Sequence, residues 1–244
     1  MLRAITLILL LFFPPPIFPQ NPGPSVTGAA NRNITPISYT GNQCGAAGGA
    51  GNVTSLTCTI TVANTGDTLI SFFNGNGNTQ NYSSSTITCG TGSIPTDRNQ
   101  TWSSWRTFLL VVPNATAGSC SYKVSVSGNM TYTTLSVLDF AHANTSTPID
   151  NASCTTSPYC QNSGSSENWS TNSLTTSNLN EMLVSFEASG YSPSSLTENN
   201  GFTAVSTSGA IVYYKLIASN GSYSDSWTAG SSGTWGAMIT ALTH

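Results

Sequence analysis

One strand-like segment occurs twice in this chain, and the repeat restricts the fold more than any other feature of the sequence. Residues 66–72 read GDTLISF and residues 180–186 read NEMLVSF, so a turn residue and an acid precede an apolar strand in both copies. Further strand-like segments follow each copy in one order and at nearly one spacing, near residues 108, 122 and 135 and again near 210, 223 and 237. The repeat predicts one β-rich body made of two related halves. Chance similarity between two β-rich stretches of sequence is the alternative explanation for the repeat.

Alternation of apolar and polar residues with a period of two predicts strands in much of the chain. Residues 57–63, TCTITVA, alternate in this way ahead of a turn at 64–66 and an apolar strand, which is typical of a hairpin. No helical period longer than one turn is present. These patterns predict an all-β fold, an antiparallel Ig-like or jelly-roll-type β-sandwich. We place its body at 53–244, with halves at about 53–142 and 171–244 joined by a connection rich in Ser, Asn and Thr.

The first 23 residues predict a secretory signal peptide. Arg3 precedes an apolar run over residues 4–13 and then three prolines, and this run is too short to span a bilayer. No second long apolar run follows, so we expect a secreted protein without a membrane span once the signal is removed. The cleavage position stays open, either between residues 19 and 23 or near residue 30.

Charged residues are scarce. Only 6% of residues are Asp, Glu, Lys or Arg, against about 25% in ordinary proteins, and the formal net charge is −3. The surface must therefore consist mainly of hydroxyls, amides and glycine, with little charge to repel a second copy of the chain. No basic stripe is present to release counterions from phosphates, which argues against nucleic acid as a partner.

The six cysteines predict disulfides, because their number is even and they follow a secretion signal. Six cysteines allow fifteen connectivities. Pairing of sequence neighbours closes short loops and is one of them. A metal site is the competing interpretation, and the absence of a C-x2-C motif disfavours it. The neighbouring pairs are Cys44 with Cys58, Cys89 with Cys120, and Cys154 with Cys160.

Residues 24–52 predict an N-terminal arm that ends in a Gly-rich linker. The linker, residues 45–51, contains too much glycine for an interior strand. Ahead of it, a patchy apolar series suits a strand that docks on another sheet. A disordered leader in front of the folded body is the alternative interpretation. The anchors of the proposed donor strand are Val26, Ile34, Ile37 and Tyr39.

Groups suited to catalysis are few. His142 and His244 are the only histidines, and neither has an acid or thiol at a recognisable catalytic offset. Glu181 and Glu187 share one face of a predicted strand, but at ~3.3 Å per residue they stand roughly 20 Å apart, too far for the two carboxylates of a glycosidase. A solvated sheet face is expected for both. The sequence therefore predicts a non-enzymatic protein without cofactor or metal.

Tryptophans among polar residues give a second functional interpretation. An aromatic ring face in a polar loop can stack on a sugar, and exposed apolar surface marks interaction sites. Rings that seal the core or an interface are the competing interpretation. The candidate glycan-binding residues are Trp102, Trp105 and Trp169.

The glycosylation motif Asn-x-Ser/Thr occurs ten times. A chain this rich in Ser and Thr contains nearly as many by composition alone, so the motif marks candidates and proves no modification. The candidates are Asn33, Asn52, Asn81, Asn99, Asn114, Asn129, Asn144, Asn151, Asn168 and Asn220.

The strands at 66–70 and 122–126, the closing run at 138–140 and their counterparts in the second half resemble a broad group of secreted microbial β-sandwich proteins of unknown function. A free arm ahead of an Ig-like body with few charges is also similar in layout to fibre-forming pilin subunits. This resemblance implies donor-strand exchange, in which one subunit's arm completes a neighbour's sheet. The first function hypothesis is thus an extracellular subunit that self-assembles into a pilus-like filament. The alternative is a glycan-binding adhesin or carbohydrate-binding module.

Overall fold

The computed structural model describes residues 35–77, 79–90, 98–150, 160–189, 196–208 and 210–244. Within these residues lie fifteen β-strands and no helix, and every strand pairing among them is antiparallel. The predicted all-β antiparallel fold is confirmed. The predicted signal peptide lies outside the described residues.

The strands divide into two consecutive sets. The first set is β1 (Ser38–Gly49), β2 (Val53–Val62), β3 (Asp67–Asn76), β4 (Tyr82–Ile87), β5 (Arg98–Trp102), β6 (Trp105–Ala115) and β7 (Gly118–Ala141). The second set is β8 (Asn162–Ser170), β9 (Leu174–Thr175), β10 (Met182–Ser189), β11 (Leu196–Glu198), β12 (Thr203–Thr207), β13 (Ala210–Leu216), β14 (Ser222–Tyr223) and β15 (Ser226–Leu242).

The long strand β7 organises the first half because it belongs to two layers. Its C-terminal part pairs with β1 and β3, and the sheet continues from β3 through β6 to β5. Its N-terminal part pairs with β2 and β4 in a second layer. Ile60, Phe73, Phe108, Tyr122 and Leu135 are buried together between these layers. The first half is therefore a two-layered sandwich.

The long strand β15 has the same role in the second half. Its C-terminal part pairs with β10, and the sheet continues through β13 to β12. Its N-terminal part pairs with β11. In sequence it comes directly after β14, which pairs with β9. β8 pairs with both parts of β15. Leu183, Tyr213, Trp227 and Ile239 are buried in the core of this half. Because β8 is a strand, the predicted connection between the halves is wrong for residues 162–170.

The two halves correspond strand for strand. β3 lies between β6 and the late part of β7, as β10 lies between β13 and the late part of β15. At the edges of the inner sheets, β5 corresponds to β12 and β1 to β8. In the outer layers, β2 corresponds to β9. β4 also corresponds to β11, since they pair with the early parts of β7 and β15. The second half therefore repeats the strand order of the first.

Equivalent residues of the repeat make equivalent contacts. Ser71 shares a buried hydrogen bond with the hydroxyl of Tyr122 at 2.7 Å, and Ser185, at the matching position, donates one to Asp225. The turn before each repeated strand needs a left-handed residue, which is Gly66 at φ 99° in one half and Asn180 at φ 58° in the other. The repeat thus extends from topology to single side chains.

The inner sheets of the two halves pack face to face. Phe72 and Phe140 meet Val184, Phe186 and Met238 in one buried cluster. Both inner sheets therefore carry buried side chains on both faces, and every residue of β3 from 67 to 75 is buried. Strands covered on two sides read as nearly continuous apolar runs, which explains the sequence of β3 and β10.

Residues 38–49 of the predicted arm and Gly-rich linker form β1, so the prediction of an arm and linker over residues 24–52 is wrong for this part. β1 pairs with β7 over this stretch, with two register shifts. A Cβ atom on Gly45 would lie 2.7 Å from the backbone nitrogen of Ser208, and one on Gly48 would overlap neighbouring side chains. Glycine is therefore present because neighbouring chain segments approach β1 closely, and not because the segment is flexible.

Two disulfides hold the first half together. Cys44–Cys58 joins β1 to β2, and Cys89–Cys120 joins the segment after β4 to β7. Both agree with pairing of sequence neighbours. Cys160 is also disulfide-bonded, and Cys154 lies outside the described residues.

Candidate functional site

A tryptophan hairpin joins β5 to β6. Trp102 and Trp105 are paired across a two-residue turn, and their indoles stack with centroids 5.4 Å apart and planes 4° apart. Ser103 within the turn has φ 51°, a left-handed conformation that costs a non-glycine residue about 1–3 kcal/mol and is concentrated at functional sites. The hairpin is thus the first candidate for a binding element.

The repeat provides an internal reference for this hairpin. The matching hairpin of the second half joins β12 to β13, and its paired residues are Thr207 and Ala210. Two small residues therefore suffice to close the turn in this fold. The two large indoles of the first half, Trp102 and Trp105, go beyond what closure of the turn requires.

The two indoles differ in exposure. Trp102 is 3% exposed, and its ring lies so close to β15 that a Cβ atom on Gly236 would stand 2.5 Å from its Cδ1. Its Nε1 donates to the Oγ1 of Thr107 at 3.5 Å. Trp105 is half-buried against the inner core. The buried indole therefore supports an indole that remains partly open to solvent.

A cleft of about 370 Å³ lies beside the hairpin. It is formed by both halves, because β5, β8 and β15 meet there. The side chains that line it are Trp102, Ser103, Ser163, Ser165, Thr234 and Trp235. Four are hydroxyls and two are indoles, and none carries a charge. Volumes of roughly 300–1,000 Å³ are usual for small-ligand sites, so the cleft is at the small end of that range.

Hydrogen bonds hold the cleft wall in place. The hydroxyls of Ser165 and Thr234 lie 3.2 Å apart across the β8–β15 pair. The Nε1 of Trp235 donates to the Oγ of Ser166 at 3.1 Å. The wall is therefore a set of oriented hydroxyls on paired strands, which is more rigid than a loop would be.

Sequence reasoning found part of this site. Trp102 and Trp105 were predicted, and both are in the hairpin. Trp169 was also predicted, but it is 1% exposed and stacks behind Trp235 with centroids 6.2 Å apart, so its prediction as a loop residue is wrong. Ser163, Ser165 and Thr234 were missed because nothing in their local sequence distinguishes them from the many other hydroxyl residues.

Ile37 and Tyr39, two of the predicted donor-strand anchors, pack within their own chain. Ile37 is buried in the inner core. The ring of Tyr39 lies 5.8 Å from that of Phe140 and 5.2 Å from that of Tyr214. Their prediction as residues of a free arm is therefore wrong, because β1 starts directly beside them. Val26 and Ile34 lie outside the described residues.

Glu181 and Glu187 are buried, so the predicted solvated sheet face is wrong. Both project from β10, whose sheet is covered on both faces. Burial raises the pKa of Glu187 to about 8. Burial and then the nearby Asp150 raise the pKa of Glu181 to about 7, although a hydrogen bond from Asn178 opposes this. Burial therefore favours the protonated form of both carboxyl groups, and neither group lines the cleft.

Asp225 belongs to the same set of buried acids. It is 0% exposed. Burial, and after it the nearby carboxyl of Glu198, raise its pKa to about 8 against the hydrogen bond from Ser185. Three backbone amides of the following turn, those of residues 200, 201 and 202, donate to Glu198. Glu198 therefore fixes the turn between β11 and β12.

Most candidate glycosylation sites that the structure describes are exposed. Asn144 is half-buried; its side chain donates to the backbone carbonyl of His244 at 3.0 Å and accepts from two amides of its own turn. Asn33, Asn151 and the side chain of Asn99 lie outside what the structure describes. The exposed candidates are Asn52, Asn81, Asn114, Asn129, Asn168 and Asn220.

Two further features are absent from the described residues. No group of three or more His, Cys, Asp or Glu side chains is arranged there to hold a metal ion. Helices of the length and hydropathy needed to cross a bilayer are likewise absent from that part of the chain.

Comparison with protein-family models, with curated proteins and with solved structures found no match to this chain.

Proposed function

We propose that this protein is an extracellular, non-catalytic glycan-binding protein whose site is the cleft beside the tryptophan hairpin. The observation that carries the proposal is that Trp102, on which Trp105 stacks, faces an uncharged wall of hydroxyls across the cleft. Trp105 is not itself a lining residue, but it stacks on Trp102 beside the cleft and keeps a partly open ring. The matching turn of the second half is closed without such a ring.

The chemistry of the lining favours sugars. An indole presents a flat apolar face with a negative quadrupole, which suits the C–H faces of a pyranose ring. Ser and Thr hydroxyls both donate and accept, as sugar hydroxyls do. The lining side chains include no carboxylate, imidazole, thiol or amine, which supports binding without catalysis.

An extracellular location is supported by two features. The described residues contain two disulfides, and disulfides persist in oxidising compartments. The sequence also predicts a signal peptide at residues 1–23. Both are compatible with an adhesin or a carbohydrate-binding module released from the cell.

The proposal is tested by binding to immobilised neutral and charged glycans, with Trp105→Ala as the variant. We expect at least one glycan to bind the native protein and to be lost from Trp105→Ala. Tyr132→Ala is the matched control, because Tyr132 is an aromatic residue 55% exposed away from the cleft. Equal binding by all three proteins, or no binding by the native one, would sink the proposal.

Self-association is the second candidate, and one edge strand favours it. β12 pairs with β13 without a register shift, and its sequence TAVST contains no charge. Protected edges usually carry bulges or charges, as β1 does with two shifts and β8 with one. We therefore propose, as the second candidate, a filament in which the edge of β12, and not an N-terminal arm, joins one subunit to the next.

Sedimentation velocity should show oligomers of the native protein that Ala204→Lys converts to monomers. A native protein that is monomeric at high concentration would exclude self-association.

A further inference from the structure

We infer that the ligand of the cleft is neutral, so that the site takes an uncharged sugar residue and rejects uronic, sulfated and amino sugars. This inference rests on the proposed glycan-binding function and narrows its ligand class. It follows from the absence of charge among the described side chains that line the cleft and from the direction in which the guanidinium of Arg106 points.

Arg106 follows Trp105 directly but faces away from the cleft. Its guanidinium donates to the Oγ1 of Thr101 and the Oδ1 of Asn81, both at 2.6 Å, and lies 5.8 Å from the ring centre of Phe108. Phe108 belongs to the core between the layers of the first half, whereas Trp105 packs against the inner core. Alternation along β6 thus directs the cation to the opposite face.

An anionic sugar would therefore be poorly accommodated. A carboxylate or sulfate that leaves water needs a cation or several strong donors. The described side chains that line the cleft include no cation, and the hydroxyls of Ser165 and Thr234 are already within hydrogen-bond distance of each other. A sugar hydroxyl has no such requirement, so the lining discriminates by charge.

An amino sugar is positively charged and would need an acidic partner. Glu167 is the acidic residue on the strands that form the cleft, β5, β8 and β15. It lies two residues beyond Ser165 on β8 and is exposed, outside the residues that line the cleft. A cationic ligand held by Glu167 would be weakened by Glu167→Gln, whereas a neutral ligand would not. This residue therefore separates the two ligand classes.

The test uses pairs of oligosaccharides that share a backbone and differ in charge. Hexagalacturonate is compared with its methyl ester, and the chitosan hexamer with its N-acetylated form, by titration calorimetry at pH 6. A panel of neutral gluco-, xylo- and mannohexaoses accompanies them. The proteins are native, Trp105→Ala, Trp105→Phe and Glu167→Gln, each checked for native circular dichroism.

Where a pair binds, we expect its neutral member to bind at least roughly tenfold more tightly than its charged member, a difference of ~1.4 kcal/mol in binding free energy. We expect the same margin between a neutral hexaose that binds and the charged oligosaccharides. Trp105→Phe should retain part of the affinity that Trp105→Ala loses, and Glu167→Gln should bind as the native protein does. A charged member that binds equally well, or weakening by Glu167→Gln, would overturn the inference while glycan binding stands. Failure of every probe would overturn the proposed function together with it.

Discussion

The ring of Phe72 stacks on the ring of Phe186, with centroids 4.8 Å apart and planes 8° apart. The two residues occupy the same position of the repeated segment, in β3 and in β10. The halves therefore meet through an equivalent residue on each side, in the manner of a twofold-symmetric dimer interface. Here the two partners of that interface lie within one chain.

Truncation of either ring should loosen the contact between the halves. Phe72→Ala and Phe186→Ala should each reduce the free energy of unfolding by about 3–5 kcal/mol. The double variant should lose less than the sum, by about 0.5–1.5 kcal/mol, because the rings contact each other. Urea unfolding measures both quantities. Leu179→Ala, at a residue 57% exposed, is the control; fully additive losses would contradict the stacking contribution.

Stability should fall as the pH rises, because Glu187 is buried as an acid. Its pKa is raised from 4.5 to about 8 in the folded protein. The stabilisation is therefore complete below about pH 4.5 and is lost as the pH rises to about 8. Glu187→Gln should gain stability relative to the native protein between pH 5 and pH 8, by ~1.4 kcal/mol for each unit of pH. Urea unfolding at both pH values checks this.

Glu167→Gln is the control for the pH experiment, since Glu167 is exposed on β8. It makes the same change of side chain without removing a buried carboxyl group. Part of the pH dependence of stability should persist even in Glu187→Gln, because burial also raises the pKa of Asp225. Parallel pH curves for Glu187→Gln and the native protein would show that Glu187 is ionised in the fold.

The Cys44–Cys58 disulfide should hold β1 on the sheet. Replacement of both cysteines by serine should cost about 3 kcal/mol through the loop that the bond closes. Hydrogen exchange should rise in β1 first, because β1 is an edge strand with two register shifts. Exchange in β10, on the other half, is the internal reference. Unchanged protection of β1 would mean that its pairing with β7 is sufficient without the bond.

Trp102 should keep its position only while residue 236 is glycine, because its ring fills the space that a side chain there would occupy. Gly236→Ala adds a Cβ atom 2.5 Å from the Trp102 ring, and such overpacking costs about 1–3 kcal/mol. The stacked indole pair should separate, which near-ultraviolet circular dichroism detects. Gly51→Ala is the control, since a Cβ there meets nothing closer than 3.8 Å. A native spectrum for Gly236→Ala would show that the ring has room to shift.

Much of the architecture could be predicted because it depends on local pattern. Period-two alternation predicted the strands, and the likeness of residues 66–72 to 180–186 predicted two halves with one topology. Sequence-neighbour cysteines predicted Cys44–Cys58 and Cys89–Cys120, since their short loops bring the thiols together easily. Each of these features is expressed within a few tens of residues, where spacing along the chain largely determines spacing in the fold.

What covers each strand was decided only by the tertiary structure. The sequence alone determined that residue 45 is a glycine and that residue 187 carries a carboxyl group. It did not determine that Ser208 approaches Gly45, or that a second sheet layer buries Glu187. The same holds for the cleft, where Trp102 of β5 meets Thr234 of β15. Contacts between residues more than a hundred positions apart depend on how whole sheets pack, and no local pattern of side chains specifies that packing.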